Sequence, residues 1–411
     1  MIVIDLHIHS KYSRATSRDM DLDHLSEFAK LKGIDVLGTG DFTHFLWLQE
    51  LKSKLTPKSY GIYEYKGTHY ILTAEVSNIY SQQGRLRKIH NLIMAPSFEV
   101  VERINAQLVK FGNLSADGRP ILGLSAKDLV EIVLSIDENC IIIPCHIWTP
   151  WFSLFGSNSG FDDIEECFGP YTKYIYALET GLSSDPAMNW RLSKLDSYIL
   201  VSNSDSHSPS RIGREANVLN TKIDYMEIIT AMKNKDKSKF LYTIEFYPQE
   251  GKYHYDGHRN CGISLSPRES MKLNNICPVC KRPLTIGVMH RVEQLADREE
   301  GVVPESAIPF KNLIPLDEII AETKGVQKNA QSVIAEYRSL IQGFGSELEI
   351  LLHMEEDFLR ENLPSKLAEG IIRVRNGNVK IEPGYDGVYG KIKVFDDQEQ
   401  GRGGEKQLSL F

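Results

Sequence analysis

Short apolar runs that end in metal-ligating residue types recur through the first half of the chain and restrict its possible folds. The first run, at positions 2–5, leads into His7 and His9, and side chains two positions apart on a strand lie on the same face. A lone His-x-His pair also fits a solvent-facing strand end. Later runs lead to or contain further residues of this kind: Asp41, Glu75, His90, His146, Glu179, Asp205 and His207. The series as a whole predicts one multinuclear metal site.

The order of these runs predicts the fold class. Helical patterns alternate with the apolar runs; residues 21–31, for example, carry apolar side chains at helical spacing and are followed by Gly33. Such alternation predicts an α/β protein with a parallel sheet or barrel, in which functional groups collect at the carboxyl ends of the strands. We therefore expect the candidate ligands to meet at one edge of the sheet.

Length and composition limit the class of protein. A chain of 411 residues, 42% hydrophobic and 25% charged, is expected to be a soluble protein of two or three domains. No apolar run approaches the ~20 residues that span a bilayer and no basic signal-peptide segment begins the chain, so we expect a cytoplasmic protein without a membrane partner. The net charge of -8 argues against binding nucleic acid through overall charge, so such binding would require local basic patches or metals.

Residues 1–240 resemble the PHP (polymerase and histidinol phosphatase) phosphoesterases, which are metal enzymes on a distorted β/α barrel. The resemblance is carried, in the order of the family, by Asp5 to Ser10, Thr39 to Asp41, Glu75, His90, His146 and Asn203 to His207. It implies a first metal on the residues His7, His9, Glu75 and Asp205. It also implies that Glu75 bridges to a second metal on His90 and His146, and that Asp41 and His207 belong to a third site.

The third metal site is the least supported part of this interpretation. Many family members carry another histidine shortly after the His-x-His motif, and residues 11–15 contain none. His44 is either a substitute ligand or a surface histidine in a loop. The sequence therefore predicts two or three divalent ions, which can be zinc, manganese or magnesium.

A cluster of this kind suits phosphoester hydrolysis. Two or three cations a few Å apart can bridge a phosphate, stabilise its developing charge and lower the pKa of a bound water, so that a metal hydroxide attacks phosphorus. Asn203 and Ser206 are candidates for orienting the imidazole rings. The residues expected to carry the catalysis are Asp205, Glu75, His7 and His9.

A second metal site is predicted in residues 246–300. Cys277 and Cys280 form a Cys-x2-Cys knuckle, and Cys261 supplies a third ligand for a structural zinc ion. The fourth ligand can be His258, His254 or His290. Positions 252–291 also carry seven lysines and arginines against two acidic residues, a local basic patch in an acidic protein. A zinc module with basic flanks favours a polynucleotide substrate, although a generic solvated face has the same composition.

Residues 301–395 have a mainly helical pattern, and a polar, glycine-rich segment begins near residue 396. The alternation at 371–381 around Asn376-Gly377 predicts a β-hairpin, with basic residues that either contact a DNA backbone or face solvent. The chain ends in Gln407, Leu408, Ser409, Leu410 and Phe411. These five residues resemble the pentapeptide by which bacterial proteins bind the sliding clamp, and they imply a replication or repair setting; the alternative is a frayed terminus.

The combination of these parts resembles the endonuclease Q family of DNA repair nucleases. That resemblance implies incision of single- or double-stranded DNA 5′ to uracil, hypoxanthine, xanthine or an abasic site, leaving a 3′-hydroxyl and a 5′-phosphate, by a nucleoid-associated enzyme. Base extrusion from the stack would precede cleavage, and aromatic residues near the cluster are either pocket walls or loop packing. The candidates for that pocket are Tyr12, Trp148 and Trp151.

The expected organisation is a PHP-type domain at 1–245, a zinc module at 246–300, a helical domain at 301–395 and a tail at 396–411. Two other functional classes remain open. A small-molecule phosphoesterase of the histidinol-phosphate type would need neither a zinc module nor a clamp peptide. A non-catalytic adaptor bound to the clamp would not need an intact ligand set.

Overall fold

The central element is a mixed sheet of eleven strands, seen in a computed structural model that describes residues 1–396. The strands of the described chain are β1 (Ile2–Asp5), β2 (Val36–Gly38), β3 (Thr56–Ser59), β4 (Ile62–Tyr65), β5 (Thr68–Gln82), β6 (Arg85–Ala95), β7 (Ile121–Leu122), β8 (Ile141–Pro144), β9 (Ala177–Glu179), β10 (Ile199–Val201), β11 (Ala216–Leu219), β12 (Phe240–Glu245), β13 (Asp256–His258), β14 (Ile263–Leu265), β15 (Phe310–Asn312), β16 (Lys380–Glu382) and β17 (Lys391–Lys393). The main sheet has the order β15-β12-β11-β1-β2-β5-β4-β3, with β6 and β7 on β5 and with β8 on β6.

Seven strands close into a distorted barrel. Strands β1, β2 and β5 are parallel neighbours, β6 joins β5 to β8, and β9 pairs with β10 in parallel. The amide N of Ile147, just after β8, donates to the carbonyl O of Glu179 at 3.0 Å. At the other seam, the amide N of His9 donates to the carbonyl O of Ser206 at 3.0 Å. The predicted α/β class with a PHP-type barrel is thereby confirmed.

Helices cover the outside of the sheet and form the C-terminal region. They are α1 (Leu22–Lys32), α2 (Phe45–Lys54), α3 (Phe98–Leu108), α4 (Ala126–Ile136), α5 (Ile164–Phe168), α6 (Pro186–Asn189), α7 (Tyr225–Asn234), α8 (Pro267–Lys272), α9 (Val288–Leu295), α10 (Leu316–Lys324), α11 (Gln331–Phe344), α12 (Glu347–Leu352), α13 (Glu356–Asn362) and α14 (Ser365–Arg375). The predicted helix at 21–31 is α1. The side chain of Asp21 caps it by accepting from the His24 amide at 3.0 Å, and Gly33 ends it with φ of 87°.

The predicted hairpin at 371–381 is wrong. Residues up to Arg375 belong to α14, whose buried face includes Leu367, Ile371 and Val374 at helical spacing. Asn376-Gly377 ends this helix, with Gly377 at φ of 67°, instead of forming a two-residue hairpin turn. The Arg375 guanidinium donates to main-chain carbonyls near the end of α12, including that of Ile350 at 2.7 Å, so it is a structural group.

The C-terminal helices and the sheet share one core. Strand β15, from the region predicted to be a separate helical domain, pairs in parallel with β12. Lys32 on α1 forms a buried ion pair of 2.6 Å with Glu347 on α12. Glu347 also accepts from the Tyr337 hydroxyl at 2.7 Å and from the Leu316 amide at 3.1 Å. No helix in residues 1–396 is long and apolar enough to cross a membrane.

Candidate active site

Glu75 lies at the centre of a buried cluster at the mouth of the barrel. Its Oε2 is 3.4 Å from Nε2 of His7 and 3.2 Å from Nε2 of His9. Its Oε1 is 2.7 Å from Nδ1 of His90 and 3.2 Å from Nε2 of His146. One carboxylate therefore joins two imidazole pairs through different oxygen atoms, which is the geometry that a residue bridging two cations requires.

Three groups of described residues around this cluster could each hold a metal ion, and two of them share Glu75. The ligand atoms of each group lie within 4.8 Å of one another. The groups that share Glu75 are His7, His9, Glu75 and Asp205, and Glu75, His90 and His146; the third is His7, Cys145 and Glu179. Nε2 of His7 is buried without a hydrogen-bond partner in the described chain. A bound cation would give the lone pair of this nitrogen a partner. Imidazole nitrogens and carboxylate oxygens suit zinc or manganese, and the arrangement fits the metals implied by the sequence.

Carboxylates outside the two groups that share Glu75 orient the two histidines of the His-x-His motif. Nδ1 of His7 lies 3.0 Å from both carboxylate oxygens of Glu179, at the end of β9. Nδ1 of His9 lies 3.1 Å from Oδ1 of Asp41. A carboxylate behind an imidazole fixes the ring and its tautomer, so the Nε2 atoms of both rings face Glu75.

Both carboxylate oxygens of Asp41 have hydrogen-bond partners in this arrangement. Its Oδ2 accepts from the amide and the hydroxyl of Ser10, both at 2.6 Å, and from the hydroxyl of Ser13 at 2.8 Å. Nδ1 of His207 lies 2.8 Å from the carbonyl O of Asp205. Asp41 and His207 are adjacent to the cluster but belong to none of the groups of described residues that could hold a metal ion. The third metal site therefore remains a prediction.

His44 belongs to none of the groups in the described chain that could hold a metal ion. It precedes α2, and its ring stacks on Tyr12 with centroids 4.5 Å apart. Burial lowers the pKa of His44. His44 is not a solvent-facing surface histidine, because it is buried.

Three residues at or beside the cluster sit in strained turns. Asp41, His146 and Asp205 have φ of 49°, 32° and 46°, which non-glycine residues rarely adopt. Strain of this kind persists where the surrounding contacts over-determine a conformation, as they do at functional sites. Each turn directs its side chain to the barrel mouth after a strand has ended.

Arg119 is a member of the site that sequence reasoning missed. Its Nη1 lies 3.1 Å from Oε2 of Glu75. Burial opposes ionisation of Glu75, but His90, Arg119 and His7 hold the pKa of this carboxyl well below its usual value. Burial lowers the pKa of His90 to about 4, so its imidazole is neutral and able to ligate a metal at physiological pH. Arg119 lies in the loop before β7 and does not follow an apolar run. The hydrophobic periodicity of the sequence therefore gave no signal for it.

The three candidate pocket residues have different surroundings. Trp148 is buried in the core, and its indole Nε1 donates to Asn189 at 2.7 Å, which favours packing over base binding. Tyr12 is partly buried beside His44. Trp151 is 51% exposed. Their role in base binding remains a prediction, with Trp148 the least suited of the three.

The four residues predicted to bind a structural zinc ion lie close together. His258, Cys261, Cys277 and Cys280 form a group whose ligand atoms lie within 4.8 Å of one another. His258 is therefore the fourth member of this group. His254 is buried elsewhere, and His290 is bonded to Asp256 at 2.6 Å.

The closed ring of strands and its His, Glu and Asp cluster define a metal-dependent phosphoesterase with a PHP-type barrel. The chain is 31% identical to the lesion-specific endonuclease PfuEndoQ from Pyrococcus furiosus, with a TM-score of 0.87 over 99% of this chain and 98% of that one. It is 30% identical, with a TM-score of 0.84 over 99% of both chains, to endonuclease Q in complex with a 27-mer duplex that carries an abasic lesion at the active site. The chain belongs to the endonuclease Q family and is a metal-dependent endonuclease.

Two further similarities overlap these matches. The uncharacterized protein YqxK of Bacillus subtilis (strain 168) is 30% identical over 412 residues, which is 95% of this chain and 99% of YqxK. Residues 315–378 match the family described as the MJ0043 C-terminal domain. This match falls on α10 to α14.

Proposed function

We propose that this protein is a DNA repair endonuclease that hydrolyses the phosphodiester 5′ to deaminated bases and abasic sites, leaving a 3′-hydroxyl and a 5′-phosphate. The observation that carries the proposal is the pair of metal-competent groups joined through Glu75. Its substrate is supported by the family, since one endonuclease Q binds a duplex with an abasic lesion at the active site. Uracil, hypoxanthine and xanthine are the deaminated bases proposed as substrates.

The ligands proposed for the first metal are His7, His9, Glu75 and Asp205, and those for the second are Glu75, His90 and His146. When bound, two divalent cations would stabilise negative charge on the phosphoryl oxygens and activate water. Glu179 and Asp41 contact Nδ1 of His7 and His9, so they favour the tautomer protonated at Nδ1 and orient the rings with Nε2 towards Glu75. The Arg119 guanidinium, only partly buried, offers a fixed positive charge beside the position of the scissile phosphate.

Cleavage of defined duplexes tests this proposal. End-labelled DNA carrying a single uracil, hypoxanthine, xanthine or abasic site is incubated with the protein and zinc, manganese or magnesium, and the cut is mapped. We expect a single incision 5′ to the lesion and no cut in an undamaged duplex of the same sequence. Hydrolysis of a simple phosphomonoester without DNA cleavage would instead favour the small-molecule phosphoesterase. Failure to cut any DNA with every metal would favour the adaptor.

The proposed partner besides DNA is the bacterial sliding clamp, bound through residues 407–411. These residues lie outside the described part of the chain, and the proposal is supported by their sequence alone. A pull-down with purified clamp tests it, comparing the full chain with a variant that lacks Phe411. Equal recovery of the two would refute clamp binding and leave the nuclease proposal intact. With such a partner, the enzyme would work at the nucleoid in the cytoplasm.

A further inference from the structure

A strip of side chains on and beside strand β6 leads from the proposed metal site to the protein surface; it consists of His90, Phe152, Lys88 and Trp151. His90 and Lys88 lie on the same face of β6, about 7 Å apart along the strand. The Lys88 ammonium is 5.0 Å from the ring centroid of Trp151 and 5.1 Å from that of Phe152. The Phe152 ring lies 4.7 Å from the ring of His90. The Lys88 ammonium and the Trp151 and Phe152 rings therefore form a continuous surface that starts beside His90, a proposed metal ligand.

The outer half of this strip faces solvent. Half of the Trp151 surface is exposed, although indole is among the most favourable side chains to bury. Within residues 1–396, no carboxylate lies at ion-pair distance from Lys88. Packing in this protein therefore leaves both groups available to a ligand.

The loop that carries Trp151 is held in place before any ligand arrives. The His90 amide donates to the Phe152 carbonyl at 3.0 Å, and the Ser159 hydroxyl donates to the Lys88 carbonyl at 3.3 Å. From helix α9, Arg291 donates to the carbonyls of Phe155 and Phe161 at 3.0 and 3.1 Å. A site that is fixed in advance loses little conformational entropy on binding.

A cavity of about 630 Å³ continues the strip beyond Trp151. Its cationic lining is Arg85, Arg87 and Arg291. Asp162 and Glu166 also line it, and Asp162 is paired with Arg291. The lining therefore has an excess of one positive charge, which suits a polyanion that leaves the cluster along this path.

We propose that Lys88 and Trp151 bind the nucleotide next to the scissile phosphodiester, with Lys88 on its phosphate and Trp151 stacked on its base. The inference rests on the proposed DNA-cleaving function and adds two positioning residues to it. The two-residue step from His90 to Lys88 is comparable with the spacing of successive phosphates along a nucleic-acid strand. Lysine binds phosphate as a point charge, and stacking on an aromatic ring accepts any base, so the contact serves every lesion in every sequence.

Substitution of single phosphates in the DNA tests the contact of Lys88. Duplexes with one abasic site and one neutral methylphosphonate, moved stepwise along both flanks of the cleavage position, are titrated with the full chain carrying Asp205→Asn. We expect neutralisation of one phosphate adjacent to the scissile one to weaken binding several-fold. Addition of Lys88→Ala should weaken binding of unmodified DNA by a similar factor and abolish the effect at that position alone. It should also lower the slope of log K against log salt by about 0.9, the value of one phosphate contact on B-DNA.

Matched variants separate this role from a structural one. Lys88→Arg retains the charge and should bind like the parent, and Trp151→Ala should weaken binding about tenfold without changing the salt slope. Lys173 lies 5.0 Å from the Tyr174 ring, before β9 and at the opposite end of that strand from Glu179. Lys173→Ala removes an equivalent lysine over an aromatic ring and should leave binding unchanged.

The outcomes distinguish this inference from the proposed function. If the unsubstituted protein cuts abasic DNA but Lys88→Ala retains the same phosphate sensitivities and salt slope, the positioning role is refuted. An equal loss at all phosphates would also refute it, because it would indicate a general effect. If the unsubstituted protein cuts no DNA with any metal, the proposed function itself fails.

Discussion

Nδ1 of His7 lies 3.0 Å from both carboxylate oxygens of Glu179, and both residues are fully buried. Glu179 also accepts from the His146 amide at 3.0 Å and from the Asn203 side chain at 2.9 Å. One carboxylate behind the cluster therefore fixes a histidine ring, the turn that carries a second histidine, and the segment before Asp205. These contacts fit a residue that orients the metal ligands, because Glu179 meets Nδ1 of His7 while Nε2 of the same ring faces Glu75.

Replacement of Glu179 should weaken metal binding more than it weakens folding. With Glu179→Gln, Nδ1 of His7 loses its anionic partner, and such losses cost about 10- to 100-fold in metal affinity. Incision of abasic DNA should then need a correspondingly higher concentration of manganese or zinc, with nearly full activity at saturation. An unchanged metal requirement would contradict the orienting role.

Asp205→Asn should abolish incision and leave DNA binding nearly intact. Oδ1 of Asp205 lies 3.0 Å from Nε2 of His9, so the amide would remove one anionic ligand from the first proposed metal while preserving the side-chain shape. Gel shift with abasic DNA and cleavage of the same duplex provide the two measurements. Full cleavage by this variant would refute the assignment of the first metal site.

Arg119→Lys should retain part of the activity that Arg119→Ala loses. The guanidinium is a fixed charge beside Glu75, and loss of one donor that stabilises a transition state costs about 10²- to 10³-fold in kcat. Single-turnover rates of incision at saturating metal measure this effect. Arg14→Ala, which removes an exposed arginine, provides the control.

Cys277→Ser should remove one zinc ion from the purified protein and lower its thermal stability. A structural zinc site with four ligands contributes directly to folding stability, and the substitution removes one of the four proposed ligands. Metal analysis and a thermal melt test the prediction. Cys140→Ala should retain the zinc, because Cys140 lies in the hydrophobic core. Retention of zinc by Cys277→Ser would contradict the site.

Stability should fall as the pH rises through neutrality, in part because of Glu245. Burial, with Asp185 nearby, raises the pKa of Glu245 from 4.5 to about 8. Between these pH values the folded chain therefore binds more protons than the unfolded chain. The stability that protonated Glu245 gives relative to its ionised form is complete below pH 4.5 and is lost by about pH 8. The slope from this group is about 1.4 kcal/mol per pH unit.

Glu245→Gln should flatten the dependence of stability on pH. The Thr180 and Thr243 hydroxyls contact the Glu245 carboxylate at 3.0 and 2.6 Å and can remain hydrogen-bonded to the amide. Urea unfolding at pH 5 to 9 measures the change, with Glu27→Gln, on the exposed face of α1, as the control. Parallel curves for all three proteins would show that Glu245 is not responsible.

Much of the site could be predicted because strand ends in a β/α barrel converge. His7, His9, His90 and Asp205 each lie in or just after a short apolar run, and barrel closure brings such positions together whatever their distance in the chain. The fourth residue of the predicted zinc site could not be chosen from spacing, since three histidines were within reach of the knuckles. Folding places His258 beside the three cysteines because β13 pairs with β14 next to Cys261.

The sequence by itself determined the barrel class, the positions of the apolar runs and the residue types at their ends, because periodicity and strand-end chemistry are local. Only the tertiary structure decided what each polar group contacts. It assigned Glu179 and Asp41 to positions behind the imidazoles, brought Arg119 from a loop to Glu75, and turned Asn376-Gly377 from an expected hairpin into a helix end. These outcomes depend on contacts between residues distant in the chain, or on competition between two local structures that the same dipeptide allows.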